Sequence, residues 1–167
     1  MKSKRTLVYI FFAITIIIDV LIIVESCYSG TKSGNQSKGV TQAIIDFITL
    51  IDPTNCVKDN PETAHAVIRK LIGHFLFFGV SGLFNGLSFC FIDGAIENKK
   101  KDILAVGLGF GFSIAAVSEF IQLLIPGRAG MFVDVLIDFA GFLLFYLIVF
   151  FIFFGRYHHK KKIKEAK

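Results

Sequence analysis

One stretch decides the fold class of this 167-residue chain: FVDVLIDFAGFLLFYLIVFFIFF, residues 132–154, whose only charged residues are Asp134 and Asp138. A membrane-spanning helix needs about 20 mostly apolar residues. Three further runs of this kind occupy residues 7–24, 67–92 and 103–125. The sequence therefore predicts an all-α, polytopic membrane protein with four transmembrane helices, the first of them within residues 1–25.

The composition agrees with this prediction. Hydrophobic residues make up 54% of the chain, 20 residues are Phe, and the mean hydropathy is +0.66. A soluble domain is about 45–50% apolar, and here the excess lies in a few long runs. This excludes a disordered chain, a collagen-like repeat and an ordinary soluble enzyme.

The basic residues predict the orientation of the chain. Twelve of the 18 Lys and Arg residues lie before the first span, between the second and third, or after the fourth. Because cytoplasmic segments are enriched in Lys and Arg, we expect both termini in the cytoplasm, with a basic cytoplasmic tail at 156–167. Residues 26–66 then form an extracytoplasmic loop of a multi-pass cell-membrane protein.

A cleaved signal peptide is the alternative interpretation of the N-terminus. Its apolar core is usually about 7–15 residues long, whereas the run here has 18 residues. Asp19 inside the run also indicates a helix with a partner. A retained span is therefore favoured.

The predicted outer loop has two parts. Residues 29–39 are rich in Gly, Ser, Lys and Asn, which is typical of a flexible linker. In residues 41–52 a polar stripe interrupts a wide apolar face, which predicts a short interfacial helix on the bilayer or on the bundle. Cys27 and Cys56 share this loop, and the sequence is equally compatible with a disulfide and with two free thiols.

Polar and ionisable side chains recur within the spans, where burying a charge is costly and marks a candidate site. Their helical spacing lets them meet, and at about 1.5 Å of rise per residue they fall in the outer third of the bilayer. The predicted ligand-binding residues are Lys70, His74, Glu119, Gln122, Arg128, Asp134 and Asp138. The alternative is a set of ion pairs that fixes helix register, which we favour for Asp19 and Ser88.

Several motifs resemble the signature of the VanZ-like membrane family, which has a Glu-x-x-Gln pair, a Pro-x-Arg turn, an Asp, an Asn four residues later, and a nearby Gly. An upstream Lys-x-x-x-His-Phe element also belongs to it. The matching residues are Lys70, His74, Phe75, Glu119, Gln122, Pro126, Arg128, Asp134 and Gly141. Asp138 departs from the signature, since the family more often has Asn there. The resemblance covers about residues 67–155 and implies a three-helix core for them.

The VanZ-like family is named for a bacterial member associated with low-level teicoplanin resistance. The resemblance therefore implies a cell-envelope membrane protein with a role in glycopeptide resistance, but it implies no reaction. Our leading hypothesis is that the protein binds an amphiphile at the outer leaflet, either a lipid-linked cell-wall precursor or a lipophilic glycopeptide. Arg128, Lys70 and Arg69 would meet its phosphate or carboxylate.

Two alternatives stay open. One is an enzyme acting on such a lipid, with His74 as nucleophile or general base and Glu119 or Asp138 as its partner. The other is a small proton-coupled transporter that uses Glu119 and Asp138. The chain has no zinc-type Cys and His spacing, so we expect neither a metal nor a cofactor. Membrane lipids are the expected partners and nucleic acid is not, and both a monomer and a homo-oligomer fit the sequence.

Overall fold

The structure is a computed structural model that describes residues 2–52, 60–92 and 99–165. Within these ranges it is built of helices and the turns between them, with no strand, so the all-α prediction is confirmed. In chain order the elements are α1 (Lys2–Ser26), α2 (Gly30–Ile51), α3 (Pro61–Arg69), a π-helical segment (Lys70–Leu76), α4 (Phe77–Cys90), α5 (Lys100–Leu123) and α6 (Phe132–Glu165).

Four helices in the described ranges are long and apolar enough to cross a membrane, which confirms the four predicted spans. Their bounds are Arg5–Ser26, Pro61–Cys90, Lys100–Leu123 and Phe132–His159. The second span differs most from its predicted range, residues 67–92, because its helix begins at Pro61 and contains a π-helical segment. Proline suits the first turn of a helix, where its missing N–H needs no partner. The orientation of the bundle stays a prediction.

Helix α6 is the centre of the bundle and packs against α4, the π segment and α5. Its Phe142 and Tyr146 are fully buried, and the Tyr146 hydroxyl donates to the Ile103 carbonyl at 2.7 Å. Two glycines bring the backbones close together. A Cβ on Gly82 would lie 2.8 Å from the backbone carbonyl carbon of Phe142, and one on Gly141 would lie 2.8 Å from that of Phe75. Such small-residue contacts favour helix association within a membrane.

Helix α1 packs against α4 and α5. Its Asp19 is buried and accepts a hydrogen bond from the Ser81 hydroxyl at 2.6 Å. This is the kind of partner that a carboxylate in an apolar run requires. The bond ties α1 into the bundle and supports its interpretation as a retained span.

The flexible linker predicted for residues 29–39 is wrong, because α2 already begins at Gly30. The Ser29 side chain accepts from the Lys32 backbone N–H at 3.4 Å, and the Gly30 N–H donates to the Pro126 carbonyl at 3.4 Å. Packing on the α5–α6 turn thus stabilises a glycine-rich helix start that intrinsic propensity disfavours.

The interfacial helix predicted over residues 41–52 is the second half of α2, which ends at Ile51. Phe47 and Leu50 on it are exposed, as expected for side chains that face lipid. Part of the polar stripe faces α3, since Thr41 and Gln42 both hydrogen-bond to His65. The pairing of Cys27 with Cys56 concerns residue 56, which lies outside the described residues.

Candidate functional site

The predicted site residues meet at one end of the bundle, which we call the turn end because the α5–α6 turn (residues 124–131) lies there. The π segment contributes Lys70 and His74, the last turns of α5 contribute Glu119 and Gln122, the turn contributes Arg128, and the start of α6 contributes Asp134 and Asp138. Two segments run from the turn end into the bundle and are therefore parallel: α3 with the π segment that follows it, and α6. The equal four-residue spacings of Lys70–His74 and Asp134–Asp138 therefore align as two pairs.

The deeper pair is His74 and Asp138. His74 Nδ1 lies 3.0 Å from Asp138 Oδ1 and 3.8 Å from Glu119 Oε1. The exposed fractions of the side chains are 13% for His74, 3% for Glu119 and 0% for Asp138. The three residues predicted as catalytic candidates therefore form one buried group, with the imidazole between two carboxyl groups.

The shallower pair is Lys70 and Asp134, whose Nζ and Oδ1 atoms are 2.5 Å apart. We expected Arg128 to reach Asp134, because the Pro126-Gly127 turn can fold Arg128 back over the end of α5. Instead, Arg128 Nε donates to Gln122 Oε1 at 3.1 Å and Nη1 donates to the Glu25 carbonyl at 3.3 Å. Lys70 already pairs with Asp134, since the parallel course of the π segment and α6 places the two residues opposite each other.

Glu119 is held from two sides. Gln122 Nε2, one turn further along α5, donates to Glu119 Oε1 at 2.8 Å, and the Met131 N–H donates to Oε2 at 3.1 Å. The second bond requires the turn to double back tightly, and Gly127 supplies this with a φ of +74°. Gln122 in turn accepts from Arg128, so hydrogen bonds connect the turn to the buried group.

Two cavities flank His74. The larger, about 350 Å³, lies between α1, α2, α3 and the π segment, and the smaller, about 230 Å³, lies beneath the α5–α6 turn. Arg69, His74, Gln122 and Arg128 line both. Apolar side chains of Ile22, Ile68, Ile72, Phe77 and Phe78 line the larger cavity only.

Neither arginine of this cavity wall has a carboxylate within 4.0 Å in the described part of the chain. Within the described ranges, the side chain of Arg69 donates only to the Ser33 hydroxyl, at 3.3 Å. Partial burial lowers the pKa of Arg128, and the nearby positive charge of Arg69 lowers it further. The carboxylates of Glu119 and Glu25 raise this pKa from beyond ion-pair distance, and Glu25 lines the same cavity. A guanidinium remains protonated in a protein, so two cations face the cavity, each without a carboxylate in direct contact among the described residues.

The α2 wall of the larger cavity was not among the predicted site residues. Ser33, Ser37, Val40 and Thr41 line the cavity, but all except Thr41 fall in or next to the segment interpreted as a linker. The sequence contains a pattern that indicates this wall: Ser33, Ser37 and Thr41 recur at four-residue steps and thus share a helix face. Asp19 and Ser88 lie apart from the site, and Ser88 donates to the Phe84 carbonyl at 2.8 Å, in keeping with the structural role favoured for both.

Comparison with protein families agrees with this picture. The VanZ/LLP1 family model matches residues 7–154, most of the chain. The chain belongs to the VanZ/LLP1 family. The match includes every residue of the site described above and confirms the resemblance drawn from the motifs. Searches of curated proteins and of solved structures find no match.

This VanZ/LLP1 protein is therefore a membrane-family protein with four membrane-capable helices and a polar cluster at the turn end. The structure explains why either Asn, as in the family signature, or Asp, as in this chain, fits at position 138. Asp138 Oδ1 is close enough to bond with His74 Nδ1, and an Asn side-chain oxygen could accept from the same nitrogen. An Asp there keeps this contact and adds an ionisable group.

Proposed function

We propose that this VanZ/LLP1 protein binds the anionic headgroup of an amphiphile at the outer leaflet of the cell membrane. The ligand is a lipid-linked cell-wall precursor or a lipophilic glycopeptide. The observation that carries the proposal is the 350 Å³ cavity, which combines an apolar wall with two arginines that have no carboxylate within 4.0 Å among the described residues. An amphiphile matches this combination, because its headgroup is charged and its tail is apolar.

Arg69 and Arg128 are the proposed headgroup ligands. A guanidinium presents several donors in a planar fork and can bind phosphate or carboxylate through two parallel bonds. Lys70, which the sequence predicts as a third ligand for the headgroup, is not in this set because its ammonium group already pairs with Asp134. Gln122 positions Arg128 by accepting from its Nε, which leaves Nη2 and part of Nη1 for a ligand.

The distribution of basic residues supports the outer leaflet. The turn end lies opposite the basic segments near Lys100 and Lys162, and the positive-inside rule assigns those segments to the cytoplasm. A ligand that enters at the turn end would therefore come from the outer leaflet. If it is a lipophilic glycopeptide or the lipid that such a drug recognises, binding would contribute to teicoplanin-type resistance.

The test is a binding measurement on the full chain in lipid nanodiscs, with fluorescently labelled teicoplanin and a labelled polyprenyl pyrophosphate as separate probes. We expect Arg128→Ala and Arg69→Ala each to weaken the binding of one probe by roughly tenfold or more, the loss of a charge-assisted bond of about 1.5–3 kcal/mol. Arg128→Lys should restore only part of it. Arg156→Ala removes an exposed arginine at the other end of α6 and is the matched control. Equal affinities for Arg128→Ala and Arg156→Ala would refute the proposal.

A second candidate function rests on the His74–Asp138 pair. An imidazole that borders a cavity and contacts a carboxylate is the arrangement of a general base. Under this alternative the protein would transform the bound lipid, with Asp138 orienting the ring. Asp138→Asn distinguishes the two functions: a binding protein should keep its affinity, whereas an enzyme should keep its affinity and lose turnover of a labelled lipid pyrophosphate.

A further inference from the structure

Three metal-ligating side chains converge at the turn end from three different elements. They are His74 of the π segment, Glu119 of α5 and Asp134 of α6, and one ligand atom from each lies within 4.8 Å of the others. Two atoms bound to one ion at about 2.0–2.2 Å are at most about 4.4 Å apart. Three ligands around one ion lie closer together than that, so side-chain movements of roughly 0.5–1 Å would bring all three onto one ion.

A second observation points to the same place. Asp138 is fully buried, and its Oδ2 has no hydrogen-bond partner in the described part of the chain. Its Oδ1 lies against His74 Nδ1, so the unpartnered oxygen belongs to the same group. A buried polar atom without a partner costs free energy and needs an explanation. A bound cation would provide one.

The charge balance favours a divalent cation. Lys70 neutralises Asp134, but Glu119 and Asp138 have no Lys or Arg nitrogen within 4.0 Å among the described residues. His74 is the one basic side chain of the described residues within that distance of both. Wherever these two carboxyl groups are ionised, their charge is costly at this depth, and one divalent cation would compensate both.

We propose that this group binds one divalent transition-metal ion, with His74, Glu119 and Asp134 as ligands and the unpartnered Asp138 oxygen as a fourth. A set of one imidazole nitrogen and several carboxylate oxygens suits Zn²⁺ or Mn²⁺ better than Mg²⁺, which prefers oxygen ligands alone. Any proton on His74 Nδ1 would leave to water when the ion binds. Gln122 and the Met131 N–H already orient the Glu119 carboxylate, as hydrogen-bond donors behind metal ligands do.

The proposed metal site does not depend on amphiphile binding. Because its ligands come from three different elements, local spacing in the sequence does not indicate it. The test uses the full chain in nanodiscs, with its tag removed and with His158→Ala and His159→Ala, since that exposed histidine pair could itself bind metal. After chelation and dialysis, Zn²⁺ is titrated by calorimetry, and bound Mn²⁺ is followed by electron paramagnetic resonance.

We expect about one ion per chain and an increase in the thermal unfolding temperature. Glu119→Gln and Asp138→Asn, which keep shape and remove charge, should each weaken binding by at least about tenfold. Asp19→Asn is the matched control, since it neutralises a buried carboxylate outside the group and should bind normally. The proposal is overturned if the chain without substitutions in the group binds neither ion stoichiometrically, or if Glu119→Gln and Asp138→Asn bind as Asp19→Asn does.

Discussion

Replacing Gly141 with alanine tests whether one close helix contact supports both the fold and the site. A Cβ at this position would lie 2.8 Å from the backbone carbonyl carbon of Phe75 and 3.0 Å from its Cα, with the carbonyl oxygen closer still. Ordinary Cβ contacts are 3.4–4 Å. All three atoms belong to backbone, so no side chain can rotate away and α6 must move from the π segment by roughly 1 Å or more.

The expected magnitude is the difference between two terms. Overpacking costs about 1–3 kcal/mol, while alanine recovers about 0.5–1 kcal/mol of helix propensity. We therefore expect Gly141→Ala to destabilise the protein by about 1–2 kcal/mol. Because Phe75 follows His74 directly, the same displacement should lengthen the 3.0 Å contact between His74 and Asp138 beyond hydrogen-bonding distance.

Gly109→Ala is the matched control, because Gly109 lies within α5 and a Cβ there meets nothing within 4 Å. The same substitution should then be neutral or stabilise the protein by up to about 1 kcal/mol. Both variants are unfolded reversibly in detergent by increasing denaturant and followed by circular dichroism. If Gly141→Ala is as stable as Gly109→Ala, the described contact between α6 and the π segment is wrong.

Three further predictions concern other contacts. Lys70→Met should destabilise the protein by about 2–3 kcal/mol, because it leaves Asp134 without a counter-charge; this magnitude lies between those measured for exposed and for buried ion pairs. Adding Asp134→Asn should restore most of the lost stability in the same unfolding assay. Tyr146→Phe should cost about 1 kcal/mol, the contribution of one buried hydrogen bond, and a loss below about 0.3 kcal/mol would contradict the contact with α5. In intact cells, a cysteine at position 34 should react with an impermeant maleimide and one at position 100 should not; labelling at position 100 would reverse the predicted orientation.

The spans and the composition of the site could be predicted from the sequence because each depends on a local pattern. Four apolar runs of sufficient length define four helices, and four-residue spacing places Lys70 with His74 and Asp134 with Asp138. The pairing partners could not be predicted in the same way. The turn predicts Arg128 beside Asp134, but the choice between Arg128 and Lys70 depends on how the π segment and α6 run side by side, which no local spacing specifies.

The first half of α2 could not be predicted for a related reason. Its sequence from Gly30 to Gly39 has the composition of a linker, and intrinsic propensity disfavours a helix there. The helix forms because its start docks on the Pro126 carbonyl and Ser29 caps it. Tertiary contacts of this kind override local composition, and with α2 misassigned, one wall of the larger cavity was missing from the prediction.

The arrangement of charges also argues against a purely structural role for the buried group. The Lys70–Asp134 pair and the hydrogen bond between Ser81 and Asp19 each join two helices and would suffice to fix register. Glu119 and Asp138 add two buried carboxylates that no lysine or arginine neutralises, and one of their oxygens has no partner in the described residues. Buried carboxyl groups oppose folding unless they are paired, and helix register alone does not require them. Their presence supports the proposals of a bound ligand or ion over a role in helix register.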